Sequence, residues 1–143
     1  GYNEDGACPM FVGNACSIYA HRPRTCRTYD CRIFPATGIV PDASKPEIVS
    51  RAASWEFSFA TARDRLERDA LRAAAESLGR HPELFAGKAI PPPTQLAALA
   101  VRLRSLSLTP PENPASLCEP PFDVLKREIE RIRSAGFSPP NSA

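Results

Sequence analysis

Nowhere in the sequence does an apolar run approach the ~18–20 residues of a bilayer-spanning helix, so no membrane partner is expected. The opening "GYNEDGAC" has neither the basic nor the apolar stretch of a secretory signal. It also lacks an initiator Met, so a preceding piece is expected to have been removed. Glycine is scarce, at seven residues, and no Gly-rich phosphate loop is found among them. With two histidines there is no multi-histidine centre and no His–carboxylate constellation, and no nucleophile motif appears either. No catalytic residue can therefore be named, and the sequence by itself does not define an enzyme. Charge of one sign is lacking as well: 18 Lys and Arg face 16 Asp and Glu, a net of +2. The arginines are interleaved with acids as on a solvated helix face, so no nucleic-acid partner is expected.

What remains is a 143-residue chain, 43% hydrophobic and 24% charged, which fits one globular domain with a real core. Residues 1–42 are rich in Gly, Pro, Asn, Asp and Cys, with only short apolar runs. Such a segment buries little surface and needs a cross-link or metal to hold one shape. Residues 43–136 read as helical, and 137–143 as a tail. From Pro46 to Gly79, Trp55, Phe59, Ala62, Leu66, Ala70, Ala73 and Leu78 recur at near-helical spacing, with Asp64 and Arg68 paired on the charged side and Gly79 as the stop. "HPELF" reads as a short turn of helix. After "PPP", Thr94 is the expected N-cap of a second helix with Leu96, Leu99, Leu103 and Leu106 on its buried face. A proline-rich connector then leads to a third, with Phe122, Leu125, Ile129 and Ile132 inward, Asp123 in the first turn and Gly136 at the end. The fold class expected is mainly α: a small bundle of about three helices with an irregular Cys-rich N-terminal segment.

The chemistry concentrates in that segment. Four of the five cysteines follow the spacing Cys8-x7-Cys16-x9-Cys26-x4-Cys31, whereas Cys118 stands alone in the connector, a buried or connector thiol by default. Four thiolates complete a tetrahedral zinc site or hold an iron–sulfur cluster; soft sulfur argues against magnesium and calcium. The tight knuckles of a zinc ribbon and the runs of a bacterial ferredoxin are both absent. Arg22, Arg24, Arg27 and Arg32 flank Cys26 and Cys31, where positive charge offsets thiolate charge. Tyr19 and Tyr29 are placed to pack over a centre or donate to sulfur, and His21 is the nearby nitrogen donor. Two disulfides, or inert core thiols, are the other uses open to these cysteines. An odd cysteine count, clustered at one end, favours thiolates in a reducing cytoplasm over a secreted disulfide scaffold.

The stretch "CPMFVGNACSIYAHRPRTCRTYDCRIF" resembles the second half of the YkgJ-like cysteine-cluster family, zinc- or iron-chelating domains. Their pattern, Cys-x-Ile-Tyr-x-x-Arg-Pro-x-x-Cys-Arg after an earlier cysteine, is met by Cys8, Cys16, Ile18, Tyr19, Arg22, Pro23, Cys26 and Arg27, with Cys31 trailing. The likeness covers residues 6–39. The dense upstream run that ends in adjacent cysteines in that family is not in this sequence, so the visible four form either one site or half of a larger one. The resemblance implies zinc or iron, as an ion or an iron–sulfur cluster, with Cys8, Cys16, Cys26 and Cys31 as ligands. Arg22, Arg27, Tyr19 and Tyr29 are the expected surroundings of the bound centre. It implies no particular reaction. Related segments occur in flagellin lysine methylases, which leaves open an iron–sulfur enzyme or enzyme component in electron transfer or protein modification. The partners expected are the metal or cluster and a protein.

Overall fold

In a computed structural model, residues 8–13, 15–23, 31–108 and 117–135 are described. The chain divides into two units, residues 1–30 and 31–143. The cysteine-rich stretch is thus shared: Cys8 and Cys16 fall in the first unit and Cys31 opens the second.

The N-terminal unit is built on a small hairpin. β1 (Phe11–Val12) pairs antiparallel with β2 (Ala15–Cys16), placing Phe11 opposite Cys16. Gly13, between the strands, has φ +56, a backbone state that a side chain disfavours. The Ser17 N–H and hydroxyl both donate to the Met10 carbonyl, at 2.8 and 3.0 Å, and extend the pairing by one step. A single 3-10 turn, Tyr19–His21, follows.

The second unit is helical. α1 (Ile33–Thr37) ends at Gly38, whose φ of +76 lets its N–H close back on the Phe34 carbonyl at 2.8 Å. Phe34 and Thr37 are buried, so this helix belongs with the core although its sequence adjoins the cysteines. α2 (Pro46–Ala53) begins with proline at its first position, where the missing N–H costs nothing. α3 (Ala62–Arg80) is the longest element. α4 (Pro93–Leu103) follows the proline triplet and tightens into a 3-10 turn, Arg104–Ser107. A bridge between Leu108 and Leu117 closes the connector, and α5 (Phe122–Ser134) completes the order.

The protein is mainly helical, as expected, with five α-helices among the described residues rather than about three. The expected run from Pro46 to Gly79 is two helices. Thr61 and Asp64 form a capping box: the Thr61 hydroxyl accepts from the Asp64 N–H at 3.1 Å, and the Thr61 N–H donates to the Asp64 carboxylate at 2.9 Å. That start signal, after the poor helix formers of "SWEFSF", outweighs the apolar periodicity. Trp55 and Ala62 are consequently exposed, and Phe59, Leu66 and Ala73 are half-buried, whereas Ala70 and Leu78 lie inside as expected. Asp64 is engaged in the cap, and Arg68 instead lies beside Asp69 at 2.9 Å. Gly79 sits inside α3; the stop is His81, held out of the α region (φ −121, ψ 65) by Pro82. Pro92 rather than Thr94 occupies the N-cap of α4, because Pro93 already has the φ of a first helical residue. Gly136 lies outside the described residues.

The core joins Ala74, Ala75 and Leu78 of α3 to Leu96, Leu99, Ala100 and Leu103 of α4 and to Leu125, Ile129 and Ile132 of α5. Leu84 and Phe85, from the 3-10 turn Pro82–Leu84 and its end, fill the space between. Leu106 packs at the edge. Phe122, expected inward, is 41% exposed; it sits in the first turn of α5 with its ring edge-on to His81 at 5.3 Å. The alanines of α3 let the helices approach closely, and each buried leucine contributes roughly 1.5–3 kcal/mol of transfer free energy.

Candidate metal centre

Each half of the expected site is held by a different local device. In the N-terminal unit, hairpin pairing fixes the backbone of Cys16 and leaves its thiol half-buried; Cys8, ahead of β1, is exposed. One turn later, the Arg22 guanidinium lies 3.7 Å over the Tyr19 ring, and its Nε donates to the Tyr19 carbonyl at 3.0 Å. Two of the expected surrounding residues are thus brought together, and the arginine's charge rests on the tyrosine face. The Tyr19 ring itself is 65% exposed, open to a further contact. His21 is exposed, with its backbone N–H on the Ile18 carbonyl at 2.9 Å. Cys26, Arg24, Arg27 and Tyr29 lie outside the described residues.

In the helical unit, Cys31 is half-buried at the approach to α1, and its carbonyl accepts the Phe34 N–H at 3.3 Å. Arg32 is exposed and lies 5.8 Å from the Trp55 ring centre. Cys118 has a separate role: its N–H donates to the Ser107 carbonyl at 3.0 Å, and its thiol reaches the Leu106 carbonyl at 3.6 Å. It ties the connector to the end of α4, as a connector thiol would.

Cys8, Cys16, Cys31 and Cys118 are all free thiols. The donor chemistry of Cys8, Cys16 and Cys31 therefore fits zinc or iron, which take thiolate ligands. Among the described residues, no three His, Cys, Asp or Glu side chains converge as a metal-holding group. The expected set includes Cys26, which is not among them.

A second feature was not legible as a site. A groove of about 470 Å³ in the helical unit is lined by Ala36, Phe57, Phe59 and Leu71, with Arg63, Asp64, Glu67, Arg68 and Arg104 at its edge. Reading residues 46–79 as one helix turned Trp55 and Phe59 toward the core; the Thr61-x-x-Asp64 signature is the signal that locates the break.

No protein-family profile, curated protein or solved structure matches this chain. Among the described residues, no helix is long and apolar enough to cross a membrane.

Proposed function

We propose that the protein is a cytoplasmic metal-binding protein that uses Cys8, Cys16, Cys26 and Cys31 to hold zinc or iron. The observation that carries this reading is the clustering of four cysteines within residues 8–31 in a Cys-x-Ile-Tyr-x-x-Arg-Pro-x-x-Cys-Arg context. It is supported by the free state of Cys8, Cys16 and Cys31, since thiols tied in disulfides would not serve as ligands. The YkgJ-like resemblance adds the metal class. The bound ion or cluster would supply a cross-link to a segment that buries little apolar surface of its own. Arg22 stacked on Tyr19 brings a fixed positive charge into the same unit as Cys8 and Cys16. Arg27 and Tyr29 complete the proposed surroundings.

A second reading is an iron–sulfur enzyme or enzyme component in electron transfer or protein modification. The arginine density around Cys26 and Cys31 favours it, because positive charge near a cluster stabilises its more negative, reduced state. Metal and acid-labile sulfide analysis with an absorption spectrum, on protein purified without oxygen, tests both. Iron with sulfide and a broad visible band supports the cluster; stoichiometric zinc in a colourless sample supports the ion. Metal-free protein with all five thiols reactive contradicts both.

A further inference from the structure

The groove of the helical unit gives an inference that does not depend on the metal reading. Its floor is apolar: the Phe57 and Phe59 rings stack with centroids 6.4 Å apart and an interplanar angle of 24°, beside Leu71 and Ala36. Phe57 is 39% exposed, and such half-covered aromatic rings are the usual anchors of a recognition surface. The edge is rich in cations. The Arg65 and Arg68 guanidinium groups lie 5.5 and 5.1 Å from the Phe59 ring centre. Arg63 and Arg104, from α3 and the turn after α4, both approach the same carboxylate, Glu67, at 3.4 and 3.5 Å. Those distances exceed the usual 2.7–3.2 Å of a nitrogen–oxygen hydrogen bond, so each Glu67 oxygen holds one guanidinium loosely, although Arg104 Nη1 also donates to the Val101 carbonyl at 2.7 Å. Arg68 Nε is buried and finds no acceptor in hydrogen-bonding geometry among the described residues, although Asp69 lies 2.9 Å away.

The acids on this surface are fewer and more fully engaged. Asp64 takes both the N–H and the hydroxyl of Thr61, at 2.9 and 2.8 Å, and sits at the positive end of α3. Among the described residues, four arginines, Arg63, Arg65, Arg68 and Arg104, thus face three carboxylates, Asp64, Glu67 and Asp69, a surplus in donors as well as charge. A carboxylate inserted between Arg63 and Arg104 would give Arg63 a well-placed acceptor and Arg104 a second one besides the Val101 carbonyl. The groove is open rather than enclosed, which suits a chain passing along it better than a small molecule buried in it.

From this arrangement we infer that the groove docks an acidic segment of a partner protein, in which a glutamate or aspartate stands beside an aromatic or branched aliphatic side chain. The carboxylate engages Arg63 and Arg104, and the apolar side chain lies on Phe57 and Phe59.

Fluorescence anisotropy of the full chain with a labelled peptide repeating Glu-Phe-Glu-Leu tests the inference. Two comparison peptides carry lysine for glutamate, or alanine for phenylalanine and leucine. The acidic apolar peptide binds and both comparisons fail. Arg63→Ala, Arg104→Ala and Phe57→Ala each weaken binding by roughly fivefold, while Lys126→Ala on α5 leaves it unchanged. Arg63 is largely exposed and Arg104 and Phe57 partly so, and circular dichroism checks that each variant is folded. In the unaltered protein, the peptide shifts the arginine Nε–H resonances of Arg68 and Arg104. Equal binding of the lysine peptide, affinity unchanged across folded variants, or binding of a single-stranded oligonucleotide without the peptide would overturn it.

Discussion

Glu128 and Arg131 stand one turn apart on α5, and the arginine Nε donates to both carboxylate oxygens at 3.0 and 2.9 Å. This hydrogen bond, more than charge attraction, holds the Glu128 carboxyl below its usual value of 4.5. A carboxyl whose folded pKa is depressed stabilises the fold above its unfolded pKa, and that contribution disappears as pH falls through the folded pKa. Arg131 is exposed and Glu128 partly so, so solvent screens the pair, the effect on stability is small and the titration itself is the better readout. Carboxyl resonances followed by NMR are expected to place the Glu128 midpoint below 4.5, and Arg131→Ala returns it to the usual range. Asp42 is lowered in the same way by the Ser44 N–H, at 2.9 Å, and Glu83 by His81, at 2.8 Å. At this scale the candidate ligands were readable in the sequence, because thiol clustering needs no three-dimensional information. The stacking of Arg22 on Tyr19 was not, since it depends on the turn that brings position 22 back over position 19.

The division between α2 and α3 is decided by the capping box. Thr61 and Asp64 satisfy orphan donors at the start of α3 and orient the exposed link that carries Phe57 and Phe59. Thr61→Ala removes the side-chain acceptor and is expected to cost about 1 kcal/mol, a melting shift of roughly 3 °C. An unchanged melting temperature would show that packing alone sets the start of α3. The faces of α4 and α5 followed directly from spacing: Leu96, Leu99 and Leu103, and Leu125, Ile129 and Ile132, are all buried. Those helices are bounded by prolines, so periodicity has clear limits within which to act. Between Pro46 and Arg80 no proline intervenes after the first residue, and the apolar pattern reads straight through a real break. The groove was invisible for a further reason. It joins Ala36, the 57–71 stretch and Arg104, positions far apart in the chain that only packing brings together.

For the molecule as a whole, the buried aliphatic core belongs to the helical unit, whereas the proposed ligands fall in both, Cys8, Cys16 and Cys26 in the first and Cys31 in the second. The helical unit has the buried aliphatic core, and Leu103, fully buried on α4, lies in it. Leu103→Ala is expected to destabilise this unit by about 2–5 kcal/mol, read by chemical denaturation, without lowering the metal content of the folded protein. The N-terminal unit contributes the hairpin, and its own contribution to the proposed centre is thiols rather than core. The central claim, that Cys8, Cys16, Cys26 and Cys31 hold the metal and Cys118 does not, is tested most directly by metal content per chain. The proteins compared are the unaltered chain, Cys26→Ser, Cys31→Ser and Cys118→Ser, all purified without oxygen. The account predicts loss of metal in the first two variants and full retention in Cys118→Ser, whose thiol is engaged with the Leu106 carbonyl. Equal metal content in all four proteins would contradict it.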